Sequence, residues 1–140
     1  MPVQMRFDPF SNTLTLRSSG HIDTAARLDA EQHMTALITT HRPRFFLMDY
    51  RDLSEHNSVQ EQSAAFDRGR RSFEDDPTLR ERYACIERLA VIRSPFFPET
   101  HRLAAFFTSL GVPAREFMSF LEARNWLYGS DEAHSQNAAL

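Results

Sequence analysis

The sequence predicts an α/β fold: a mixed, mostly parallel sheet with an N-terminal β-hairpin and about four helices, in the order ββαβαβαβα. Three observations predict it. Residues 44–50 and 88–94 carry nearly continuous apolar runs, the mark of strands covered on both faces. Segments with the apolar period of a helix alternate with them, which implies right-handed crossovers and a largely parallel sheet. Residues 3–17 instead alternate apolar and polar about a polar turn, the pattern of a half-buried hairpin.

The hairpin places Val3, Met5 and Phe7 on one strand and Leu14 and Leu16 on the next, joined by Asp8-Pro9-Phe10-Ser11-Asn12 and ended by Gly20. Asp23 is positioned to cap a helix over about 24–41, with Ala26, Ala30, Met34, Leu37, Ile38 and His41 on one face and Pro43 as its stop. Phe45, Phe46, Leu47 and Met48 then form the central strand, closed by Asp49 and Tyr50. Ser58-Val59-Gln60-Glu61 reads as a capping box for a second helix to about Glu74. Its apolar stripe is thin (Val59, Phe66, Phe73), so this helix is expected to be the least buried; residues 78–84 add at most a short turn. Leu89, Ala90, Val91 and Ile92 make the next buried strand. Pro98 starts a helix carrying Leu103, Phe106, Phe107 and Leu110, and Gly111 ends it. A short strand at 115–118 leads into a second capping box, Ser119-Phe120-Leu121-Glu122. The last helix turns Phe120, Ala123, Trp126 and Leu127 inward.

The 140 residues suit one domain, expected over 1–129, with 130–140 as a flexible tail. All 16 basic residues are Arg, which excludes a Schiff-base lysine and a P-loop lysine. Four scattered Gly supply no dinucleotide or phosphate loop, and the single Cys85 can form neither an internal disulfide nor a thiolate zinc cluster. The six His lie at no helical or strand metal spacing, so no metal and no cofactor are expected. A net charge of -3 argues against nucleic acid as a partner; Arg68, Arg70 and Arg71 are answered by Glu74, Asp75 and Asp76. No apolar run approaches the ~18 residues of a membrane span, and no leader pattern opens the chain, so a cytoplasmic protein is expected.

Two segments resemble a known family. Leu47-Met48-Asp49-Tyr50-Arg51-Asp52-Leu53-Ser54 resembles the strand-end pattern L-x-D-x-R-D of SpoIIAA-like proteins, and Phe117-x5-Ala123-x2-Trp126-Leu127 is similar to their C-terminal pattern. Leu89-Ala90-Val91-Ile92 sits where that family has its next strand, and the likeness covers about residues 3–128. The resemblance implies a STAS-like fold, shared with anti-sigma-factor antagonists and more loosely with CRAL-TRIO-type lipid carriers. It also implies a switch serine at the opening of the helix after the central strand. Glu55-His56-Asn57-Ser58 stands there and departs from the family's Asp-Ser-Ser/Thr-Gly loop. Ser58 is the one candidate for a phospho-switch, and helix capping also accounts for it.

Asp49, Arg51 and Asp52 gather at the C-terminal end of the central strand, where open α/β sheets hold ligands; Ser54 and His56 follow them. A Ser54–His56–Asp49 triad lacks the Gly-x-Ser-x-Gly elbow, so no catalytic residue is assigned and the chain is read as non-enzymatic. Pro95-Phe96-Phe97-Pro98 puts paired aromatics in a strand-to-helix loop, where one of them is free to line a cleft. Two functions are expected from these residues. One is a regulatory module docking a protein partner, a second copy included, through the second helix and nearby loops. The alternative is a binder of a small apolar ligand or lipid in a cleft between Phe96/Phe97 and the 49–58 segment.

Overall fold

The computed structural model describes residues 3–21, 23–55, 59–94 and 102–129, the side chains at 21, 54–55 and 59–62 excepted. Strands β1 (Val3–Asp8) and β2 (Thr13–His21) pair antiparallel with Met5 opposite Leu16 and Phe7 opposite Leu14. The turn between them is tied by Asp8, whose carboxylate accepts from the Phe10 N–H at 3.0 Å and the Ser11 hydroxyl at 2.9 Å. Those bonds favour the charged form and hold the Asp8 pKa below its ordinary value. Helix α1 (Thr24–His41) starts on Asp23, which accepts from the Ala26 N–H at 2.7 Å, and stops at Arg42, whose left-handed backbone (φ 47°) precedes Pro43.

Strand β3 (Phe45–Glu55) leads to α2 (Val59–Asp75) and α3 (Pro77–Tyr83). Strand β4 (Arg88–Ile92), helix α4 (Leu103–Ser109), strand β5 (Ala114–Phe117) and helix α5 (Phe120–Leu127) complete the chain. The five strands form one sheet in the order β1-β2-β3-β4-β5, with β2 to β5 parallel and β1 the antiparallel edge. Strand β3 is central, and Phe46, Leu47 and Met48 on it are all buried.

Because each crossover steps one strand in the same direction, the connecting helices collect on one face. There, Ile38 of α1, Phe73 of α2, Tyr83 of α3 and Phe107 of α4 pack on Leu14, Phe46, Leu89 and Val91. Among the described helices, α5 alone covers the other face, where Ala123 and Leu127 meet Leu47, Ala90 and Ile92. Burial of this size in a two-sided core supplies the main stabilisation of the domain.

Several expectations are corrected. There are five helices among the described residues, not about four: Asp76-Pro77 breaks α2 and also starts α3. The Asp76 carboxylate accepts from the Thr78 and Leu79 N–H groups at 3.0 and 3.2 Å, and proline at the first helical position lacks only an N–H that would be unpaired anyway. Gly20 does not end β2. Its φ of 65° absorbs a register irregularity, and the strand pairs on to His21. Arg68 is answered by Glu31 of α1 at 3.3 Å and Arg70 by Asp67 at 3.8 Å, not by the acidic run at 74–76. The expected helix start at Pro98 and the tail at 130–140 lie outside the described residues.

Candidate functional site

The central strand runs eleven residues, so the segment expected to leave it after Tyr50 is still strand through Glu55. Its pairing with β2 slips on the way: Arg17 faces Asp49, yet Ser19 faces Asp52. Strand β3 therefore carries one extra residue, a bulge that re-aims the side chains beyond it. Strict alternation would put Asp49 and Arg51 on one face and Asp52 on the other. With the bulge, Asp52 returns to the Asp49 side, where it accepts from Arg17 Nε at 3.1 Å, and Leu53 points into the opposite face.

Asp49 is the buried member of this group, its side chain 6% exposed. Among the described residues, three donors converge on it, all from Arg51: the backbone N–H at 3.1 Å, Nε at 3.0 Å and Nη2 at 2.7 Å. The two guanidinium bonds are a bidentate, charge-assisted pair. The Asp49 carboxylate in turn raises the Arg51 pKa, opposed by partial burial. The Arg17 guanidinium holds the Asp52 carboxylate below its usual pKa, chiefly through the hydrogen bond. The group is two closed ion pairs side by side, and neither carboxylate is left without a cation.

Arg51 also lies over the Phe120 ring at 5.3 Å, linking the end of β3 to the start of α5. Ser119 caps that helix, accepting from the Glu122 N–H at 3.1 Å. The inward face expected there is corrected in one position. Ala123 and Leu127 are buried, but Phe120 is 41% exposed beneath Arg51. Met118 and Leu121 beside it are 64% and 62% exposed. An apolar knob thus stands next to the ion pairs at the C-terminal end of the sheet.

The structure brings Asp49, Arg51 and Asp52 together and adds Arg17 and Phe120, which the sequence reading missed. Arg17 sits on the polar face of an alternating strand, but its partner depends on register across a parallel pair and on the bulge. Ser54 lies in β3, with its side chain among those not described; His56, Ser58, Phe96 and Phe97 lie outside the described residues. The cleft expected between Phe96/Phe97 and the 49–58 segment lies in large part outside the described residues; the sheet's strand order does not reverse, so it carries no switch point of the doubly wound kind.

The described residues do form a large cleft on the other face. It measures about 1090 Å³ and lies between α1, α2, α4 and the sheet, with Tyr50 and Leu53 in its wall. Burial pushes the Tyr50 phenol up to about 12, and that of Tyr83, also in the wall, up to about 12. Cys85 donates to the Arg82 carbonyl at 3.0 Å, and burial raises its thiol pKa, which makes it a poor nucleophile.

Comparison of the backbone with solved structures finds agreement over nearly the whole chain. One match is the anti-sigma factor antagonist SpoIIAA in its unphosphorylated form, with a TM-score of 0.57 and 18% identity over 91% of this chain and 96% of that one. The fold is SpoIIAA-like. A second match is the crystal structure of a protein of the DUF3478 family with a SpoIIAA-like fold from Shewanella loihica PV-4, with a TM-score of 0.54 and 17% identity over 89% of this chain and 91% of that one. No protein-family model and no curated protein sequence matches the chain. The SpoIIAA-like domain here thus shares backbone architecture with these structures at low sequence identity. Among its described residues, no helix is long and apolar enough to cross a membrane.

Proposed function

We propose that this SpoIIAA-like domain is a non-enzymatic regulatory module that works by docking a protein partner at the C-terminal end of its sheet. One observation carries the reading: Met118, Phe120 and Leu121 stand exposed beside Arg51, which Asp49 holds in place. Clustered apolar side chains with a preset guanidinium have the composition of an interface centre. The non-enzymatic part is supported by the state of Asp49 and Asp52, each tied to a guanidinium and so poorly placed to move protons. The likeness in fold to an anti-sigma factor antagonist agrees with a docking role.

The second helix offers a rival surface, since Arg70 is exposed on its outer side. Affinity capture with the tagged chain, followed by light scattering of the purified protein, separates the options. Leu121→Arg is expected to lose the captured partner while Arg70→Glu keeps it. A dimer in solution that Leu121→Arg dissolves identifies the partner as a second copy. Loss on Arg70→Glu alone moves the surface to α2 and overturns the assignment; the absence of any specific partner or dimer overturns the docking role itself.

A further inference from the structure

The cleft on the α1–α4 side of the sheet is not used by the docking surface, which lies on the α5 side. Its origin is local. Helix α2 has few apolar residues to bury: Phe73 near its end packs in the core against Tyr83, and a cleft remains between the rest of the helix, α1 and the sheet. Among its described side chains, Arg68 reaches across the gap to Glu31 of α1 at 3.3 Å, and Phe66 stacks on Phe106 of α4 with ring centroids 4.9 Å apart. Gly69 permits that stack, because a Cβ there would lie 2.8 Å from Phe106 Cζ.

The cleft, open to solvent on one side, measures about 1090 Å³, and Leu16, Met34, Met48, Leu53, Phe66 and Phe106 supply apolar wall. Protein interiors rarely leave voids larger than a water molecule, and ligand pockets run from about 300 to 1,000 Å³. The cleft therefore has the dimensions of a ligand site. Its polar groups decide the class of ligand. Four hydroxyl-bearing residues, Ser18, Thr35, Tyr50 and Tyr83, are among its lining, with the Thr35 and Tyr83 oxygens 3.4 Å apart. Burial keeps both phenols protonated across the physiological range. The charged residues of the wall come in balanced numbers, Arg27, Arg68 and Arg71 against Glu31, Asp75 and Asp76. A buried anionic head would need a surplus of cation, and the lining supplies none.

We infer that the cleft between α1, α2, α4 and the sheet binds a neutral amphiphile, an apolar chain or ring system with one hydroxyl or carbonyl head, held by the hydroxyls of the wall. This site stands independently of the docking reading.

The test pairs two probes of equal chain length, 1-hexadecanol and hexadecanoate, with full-length protein. Native mass spectrometry is expected to show a one-to-one hexadecanol adduct, with hexadecanoate at least about tenfold weaker. Labelled methionine methyls locate the probe in the wild-type protein: Met34 and Met48 should shift on addition, and Met118, on the other face, should not. Ala30→Trp and Ala65→Trp each fill the cleft and should abolish the adduct, with circular dichroism reporting that they fold. Leu121→Arg should retain it. No adduct with either probe, shifts at Met118 in place of Met34 and Met48, or an adduct surviving in both tryptophan variants overturns the site. Tighter binding of hexadecanoate overturns the neutral class.

Discussion

The Asp49–Arg51 pair should respond asymmetrically to the loss of its two members. Asp49 is buried and Arg51 is 41% exposed, so only one of them can recover water when its partner goes. Arg51→Met removes the guanidinium and keeps the stem over Phe120. The Asp49 carboxylate then retains one of three donors, the backbone N–H of residue 51. Unpairing a buried charge costs about 3–5 kcal/mol, and the surviving bond puts this case near about 3 kcal/mol. Asp49→Asn leaves Arg51 free to hydrate and keeps most hydrogen bonds, so it should cost about 1 kcal/mol. With a urea m-value of about 2 kcal/mol/M, the midpoint should fall by about 1.5 M in the first variant and about 0.5 M in the second. Replacing both members, Asp49→Leu with Arg51→Met, should recover most of the loss. Arg51→Met costing no more than Asp49→Asn would refute the argument that burial is one-sided.

Two further outcomes come from other parts of the fold. Tyr50 and Tyr83 are raised to about 12, so the folded state keeps protons that the unfolded chain releases near pH 10. Stability should fall as pH rises from 10 to 12, by up to about 2.7 kcal/mol per tyrosine, and Tyr83→Phe should remove about half of that slope in urea midpoints at successive pH values; a flat alkaline profile refutes the burial of both phenols. Gly69→Ala gains about 1 kcal/mol of helix propensity but drives a methyl into the Phe106 ring, an overpacking cost of about 1–3 kcal/mol. The expected net is a loss of thermal stability, and a gain of the full propensity value would show that the ring moves aside freely.

Much of the architecture was legible in the residues. Asp23 and Ser119 cap the helices the sequence assigns them, because an N-cap bond spans three residues and needs no distant partner. The inner strands were legible because 45–48 and 89–92 are apolar on both faces. The site was legible only in part. Asp49, Arg51 and Asp52 are close in sequence, but their common face depends on a bulge that no residue pattern announces. Arg17 and Phe120 joined them from 35 residues upstream of Asp52 and from another helix, through register and packing. The cleft beside α2 was not legible at all: a thin apolar stripe on that helix was read as exposure outward, whereas it also leaves space inward.

The unbroken strand order carries a consequence for synthesis. Every strand after β1 finds a hydrogen-bonding neighbour in the strand immediately before it in the chain, so the sheet can lengthen one ribbon at a time as the polypeptide leaves the ribosome, with no wait for a later segment to slot between earlier ones. Helix α5 emerges last of the described elements, and until it arrives the Leu47–Ala90–Ile92 side stays open to water. For the described elements, the vulnerable interval therefore lies between the emergence of β4 and that of α5, when about one helix of chain decides whether that side is sealed by its own residues or by another molecule's.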